Sequence, residues 1–256
     1  MKKWFLSFAL VAMFSGLSFG QLIDEKNVTV TMDLQPVLQL HMTTPDQVEF
    51  IFDDIKDYYS GITKYAATIL KVSSSVSWDL YVVGTSQTGA GAFWDQQLSY
   101  STGGGSGIAN LPLSALELRQ YEANQYDLAA TEFPDYSIAF ADPDALVVGQ
   151  NCIFQSATPY TAPGVAEKYI QGHSGVGVAN AAPGGSYLTA NPAAGTFSDY
   201  YFTLDYRILP SLPAIFPAAG LNDGTAQDLV TINGAGSYAN PGVYTMNVKY
   251  ILLEDQ

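Results

Sequence analysis

LKVSSSVSWDLYVVGTS, Leu70–Ser86, is the stretch whose reading decides the fold. Strand side chains alternate between two faces, and counting every second residue places Leu70, Val72, Val76, Leu80 and Val82 in one register. Trp78 shares that register, so it is read as core, with Asp79 and Tyr81 on the opposite face. Val, Trp, Tyr and Ser in strict alternation favour a half-buried strand over a helix.

The same count extends outward. Val28, Val30, Met32 and Leu34 alternate with Thr29, Thr31 and Asp33; Leu38, Leu40 and Met42 alternate with Val37, Gln39 and His41; Val48, Phe50 and Phe52 alternate with Glu49 and Ile51. Three strands are thus expected before residue 53. Near the other end, DYYFTLDYRIL places Tyr200, Phe202, Leu204, Tyr206 and Ile208 together, and GVYTMNVKYIL places Tyr244, Met246, Val248, Tyr250 and Leu252 together. Alternating strands punctuated by Gly, Pro and Asn predict antiparallel sheets with one face buried. Two such sheets face to face give an all-β, antiparallel β-sandwich, immunoglobulin-like or jelly-roll-like.

Between about 84 and 198 the chemistry changes to that of loops: STGGGSG, APGVAEK, GHSGVGVANAAPGGS and NPAAGTFSD. One short helix is expected in LSALELRQYEANQYD, from Leu113 or Ser114 to Asp127, on an imperfect apolar stripe of Leu116, Leu118 and Tyr121 or Tyr126. Residues 21–256 are read as a single sandwich domain with this loop-rich insertion; a second small domain is the alternative. No fixed-period repeat is visible, and the irregular middle does not supply the evenly spaced strands of a membrane barrel.

The first twenty residues, MKKWFLSFALVAMFSGLSFG, combine Lys2 and Lys3, an apolar run and small residues at Ser18 and Gly20. That is the pattern of a secretory signal peptide, and the run is shorter than a membrane span. Cleavage after Gly20 leaves eight basic residues against 24 acidic ones, 8 − 24 = −16. So negative a chain repels nucleic-acid phosphates and anionic lipid heads. The single cysteine, Cys152, permits no internal disulfide; its apolar neighbours mark it as a buried, inert side chain.

Chemistry-bearing motifs are sparse. His41 and His173 are the two histidines, and GHSG around His173 lacks the strand–elbow–helix context of a serine nucleophile; a water-exposed loop histidine is expected. FDDIKDYYSG offers Asp53, Asp54 and Asp57 as the best candidate for calcium, against the plainer reading that these carboxylates cap local amides. No carboxylate pair stands out as a glycosidase would require. The seventeen tyrosines rise above background, and tyrosine suits both glycan stacking and protein interfaces. Outward or loop candidates for partner contact are Tyr58, Tyr59, Tyr81, Trp94, Tyr100, Tyr160 and Tyr201, with Phe216 in the proline-rich LPSLPAIFPAAG.

The leader ending before Gln21, the DYYSGI and LKVSSSVSWDLYV runs and the closing GVYTMNVKYIL together resemble secreted surface β-sandwich proteins of Bacteroidota and, more loosely, fimbrial or WxL-type immunoglobulin-like domains. The resemblance implies a non-catalytic envelope, appendage or adhesive component. The expectation is a non-enzymatic protein at a bacterial surface or in an extracellular assembly, with the periplasm left open. It would need no cofactor other than calcium, and its partners would be copies of itself or another envelope protein. A glycan-binding module is the alternative.

Overall fold

The computed structural model describes residues 24–87, 93–100, 107–108, 110–124, 134–142, 150–174, 181–188, 200–208 and 238–255. The chain divides into two units, Met1–Gln35 and Pro36–Gln256.

In the first unit the described residues, 24–35, are irregular. The strand expected at 28–34 does not form: Val28 and Val30 are 85% exposed, Met32 76% and Leu34 81%. Alternation gives a segment an apolar face, but a strand also needs a neighbour for its amides and carbonyls.

The second unit is an all-β, sandwich-like fold with one short helix. Its elements are β1 (Leu38–Met42), α1 (Ile55–Ser60), β2 (Ile62–Ser74), β3 (Trp78–Thr85), β4 (Asp95–Ser99), β5 (Gly107–Ile108), β6 (Leu116–Gln120), β7 (Gly185–Ser186), β8 (Tyr201–Ile208), β9 (Tyr238–Ala239), β10 (Gly242–Thr245) and β11 (Asn247–Glu254), with a 3-10 turn at Leu113–Ala115. The main sheet runs β1-β2-β8-β6, with β7 also on β2. Antiparallel β3–β11 and β4–β10 pairs and a short parallel β5–β9 pair complete it.

The opening stretch is two strands rather than one. β2 belongs to the main sheet, the chain turns at 75–77, and β3 pairs with β11 in a different sheet. The inward register nevertheless carries across the turn: Leu70 and Val72 before it and Trp78, Leu80 and Val82 after it lie in the same core. Trp78 is fully buried. Its ring meets Phe202 edge-on at 6.2 Å and Tyr200 at 6.0 Å, and its Nε1–H donates to the Pro183 carbonyl at 3.2 Å. A polar chain also links the layers, from Thr68 Oγ1 to the Tyr206 hydroxyl (2.8 Å) and on to the Tyr250 hydroxyl of β11 (2.5 Å). Every expected inward residue of β8 (Phe202, Leu204, Tyr206, Ile208) is buried, with Tyr200 just before it.

Two other expectations fail for physical reasons. Val48, Phe50 and Phe52 pack against the core, as their spacing suggests, but from irregular backbone. The expected helix at 113–127 is, over its described residues 113–124, instead a 3-10 turn followed by β6, which pairs with β8 from Leu116↔Ile208 to Gln120↔Leu204; 125–127 lie outside the described residues. Leu, Glu, Arg and Gln are good helix formers, but propensity is a weak prior that tertiary packing overrides, and burying both faces of this segment outweighs it. The helix that does form, α1, lies where the sequence suggested an acidic turn.

Replacing Trp78 with Ala removes the largest side chain joining the layers and should cost about 3–5 kcal/mol in urea unfolding. Trp78→Phe, which keeps a ring against Phe202, should cost clearly less. An alanine variant as stable as the parent would show that Trp78 is not core.

Candidate interaction surface

The three candidate calcium ligands sit at the start of α1. Asp54 is its N-cap: its Oδ1 accepts from the Lys56 amide (3.0 Å), and Asp57 Oδ2 accepts from the Asp54 amide (3.2 Å). This reciprocal capping box satisfies amides that a helix start otherwise leaves open, and it is the use of these carboxylates that the plainer reading anticipated. Asp53 is exposed beside them. Among the described residues no three His, Cys, Asp or Glu side chains gather as a metal site.

The aromatic candidates separate by burial. Tyr81 is fully buried, edge-on to Tyr169 at 5.6 Å with its hydroxyl donating to the Pro159 carbonyl at 3.3 Å, so it cannot serve as a surface contact. The face of β3 expected to meet solvent is covered by residues 154–174, which sequence counting along one strand does not detect. Tyr58 packs half-buried on Phe52 at 5.0 Å, and Trp94 is half-buried with Nε1–H on the Pro112 carbonyl at 3.1 Å. Tyr201 is half-buried beside Lys71, whose ammonium lies 5.5 Å from its ring and 4.9 Å from that of Tyr187. Tyr100 and Tyr160 are exposed. The Tyr59 side chain and Phe216 lie outside the described residues.

A displayed pair was not anticipated. Between Lys64 and Thr68 the β2–β8 register slips, and Ala66 takes φ +48°, a conformation side chains with a Cβ rarely adopt. The buried Asp205 carboxylate holds it by accepting from the Ala66 amide at 2.7 Å. The bulge leaves Tyr65 72% exposed. Tyr121 is also exposed, with the Arg119 guanidinium over its ring at 5.4 Å. In ITKYAATIL the tyrosine sits in an ordinary strand pattern, so only a carboxylate far along the chain reveals the bulge.

The buried ionisable groups tie covering segments to the sheets. Arg207 Nε donates to Glu117 Oε2 at 2.5 Å and Nη1 to the Ala141 carbonyl at 2.6 Å, with the guanidinium over Phe140. Burial pushes the Glu117 carboxyl up, against the pull of Arg207, and pushes the Lys168 ammonium down. Lys168 donates to the Gln150 carbonyl and lies over Tyr136. Cys152 is buried as expected.

His173, expected in water, is buried. Its ring engages the Val165 carbonyl at 2.8 Å, while Asp79 Oδ1 accepts from its backbone amide at 3.1 Å. The carboxylate thus contacts main chain and does not orient the imidazole as a catalytic triad requires. Gly172 makes the approach possible: at φ +75°, a Cβ there would lie 2.0 Å from Asp79 Oδ1.

Sheet edges also lie at the surface. β1 pairs only with β2 among the described residues, and Leu38 and Met42 on it are exposed. The β4–β10 ribbon carries the directly opposed pair Leu98 (52% exposed) and Val243 (38%), flanked by hydrogen bonds from Gln96 to Tyr244 and from Gln97 to Thr245. No helix among the described residues is long and apolar enough to cross a membrane. No protein-family model matches the chain, and a search of curated proteins finds no similar sequence.

Burial raises the Asp79 carboxyl to about 7, with the His173 amide opposing and Asp255 adding to the rise. Between the ordinary carboxylate pKa of about 4 and that value, the folded chain holds a proton the unfolded chain has lost. Stability should therefore fall as pH rises through this window. In Asp79→Asn the urea midpoint should fall less over the same range; parallel pH profiles for parent and variant would refute the assignment.

Proposed function

We propose that this protein is an exported, non-enzymatic structural or adhesive component of a bacterial surface or extracellular assembly, associating through its sheet edges. The observation that carries this reading is the chemistry of those edges. Soluble proteins protect edge strands with lysine, proline or inward charges. Here β1 (LQLHM) and β10 (GVYT) contain no charged residue and no Pro, and together with β4 (DQQLS), whose one charge is the buried Asp95, they display Leu38, Met42, Leu98 and Val243. An edge of this kind accepts a partner's strand through main-chain hydrogen bonds. The leader-like first twenty residues and the strong negative charge support a role outside the cytoplasm and away from nucleic acid. The ionisable groups near β3 and β8 are buried and bond to main chain or to each other, which supports a scaffold role for them.

A second reading is favoured by the bulge: Tyr65, held outward beside a strained Ala66, is an exposed ring on which a sugar can stack, and Tyr121 is a second exposed ring.

Sedimentation of the mature chain from micromolar to millimolar concentration tests the first reading. Concentration-dependent assembly is expected; a monodisperse monomer throughout contradicts it. A glycan array with and without EDTA tests the second. A sugar signal lost in Tyr65→Ala and Tyr121→Ala would favour the glycan reading over assembly, and EDTA sensitivity would add a metal to it.

A further inference from the structure

We propose that Lys71, with Tyr187 and Tyr201 beside it, binds a sugar that carries a single carboxylate, a terminal uronic or sialic acid. The inference rests on the glycan reading above and adds to it a second site and the charge of its ligand.

The site is built on the outer face of the main sheet. Leu70 and Val72 of β2 face the core, so Lys71 and Ser73 project to the other side, where both are half-buried. Directly paired residues on neighbouring strands present their side chains on the same face. Lys71 therefore lies between His41 of β1, which is exposed, and Tyr201 of β8, while Ser73 lies beside Ser186 of β7. The two serine hydroxyls bond each other at 2.9 Å. Just past β7 the Tyr187 amide donates to the Val72 carbonyl at 2.9 Å, which brings a second half-buried ring to the lysine. The ammonium lies 4.9 Å from the ring centroid of Tyr187 and 5.5 Å from that of Tyr201, within the range of cation–π attraction to both.

These groups set the chemistry of the ligand. The chain has 24 acidic residues and ten basic ones, yet among the described residues Lys71 makes no ion pair and keeps company with rings instead. Its charge is held in place by the two tyrosines and is open to an anion. Tyrosine rings favour the apolar C–H face of a sugar. A carboxylate on a partner protein would use the lysine and leave the rings idle, whereas an acidic sugar uses both at once. The strongly negative chain repels polyanions, so the fitting ligand carries one isolated carboxylate rather than a run of them.

The test is an oligosaccharide array probed with the mature chain, beginning at Gln21, on which glucuronate-terminated and sialate-terminated glycans each stand beside a neutral counterpart. It is read at low and high salt and repeated with Lys71→Gln and Lys71→Arg, and the self-association of each protein is followed by sedimentation. The parent should prefer the acidic member of at least one pair by about fivefold, the worth of a partly exposed ion pair, and salt should reduce that preference. Lys71→Gln should lose the preference while binding the neutral member as the parent does, and Lys71→Arg should keep it. Which pair responds tells a uronate from a sialate. Acidic and neutral glycans bound alike, or a preference unchanged in Lys71→Gln, would overturn this inference and leave the glycan reading at Tyr65 standing. A parent that binds no glycan would overturn both. Weakened self-association in Lys71→Gln, with no preference for acidic glycans in the parent, would assign the lysine to a carboxylate of a second copy and overturn the inference as well.

Discussion

The structure depends on one constraint: the inward register must survive the turn at 75–77. Because even-numbered residues face the core on both sides of that turn, one run of chain supplies both layers, and Trp78 at the start of β3 reaches Phe202 of the main sheet. A one-residue slip would send Trp78, Leu80 and Val82 outward and bring Asp79 into the core. The polar link from Thr68 through Tyr206 to Tyr250 reinforces the alignment, since these hydroxyls satisfy one another only when the two sheets are in this register.

Covering segments then decide what the surface can do. Residues 154–174 bury the second face of β3, and 134–142 with 150–153 bury the second face of β6 and β8, each anchored by a charged or amide side chain. A sandwich with one wet face per sheet would have exposed Asp79, Tyr81, Glu117 and Arg207. Here these groups are internal, while the sheet edges and the Tyr65 bulge lie at the surface.

Much of the scaffold was readable from alternation: the all-β class, the core role of Trp78, β8 and the inward face of β11. Alternation reports an amphipathic face but not whether a partner lies beside it, so 28–34 and 48–52 look like β1 while only β1 is paired. The strand at 116–120 was hidden because its composition favours helix and its pairing with β8 spans about 90 residues of sequence. Among the site candidates, Asp54 and Asp57 were legible as caps. The burial of Tyr81 and His173 and the display of Tyr65 were not, because each is set by residues distant in the chain.

Native-state hydrogen exchange at the two sides of the turn tests the shared core most directly. The Val72 amide bonds to the Tyr200 carbonyl, and the Trp78, Leu80 and Gly84 amides bond to Ala182, Gln171 and Phe154. If the layers share one core, these amides exchange only through global unfolding, with a common free energy and a common dependence on denaturant. If β3 and its cover open in a separate, smaller step while β2 stays protected, the two sheets do not form a single core through the turn.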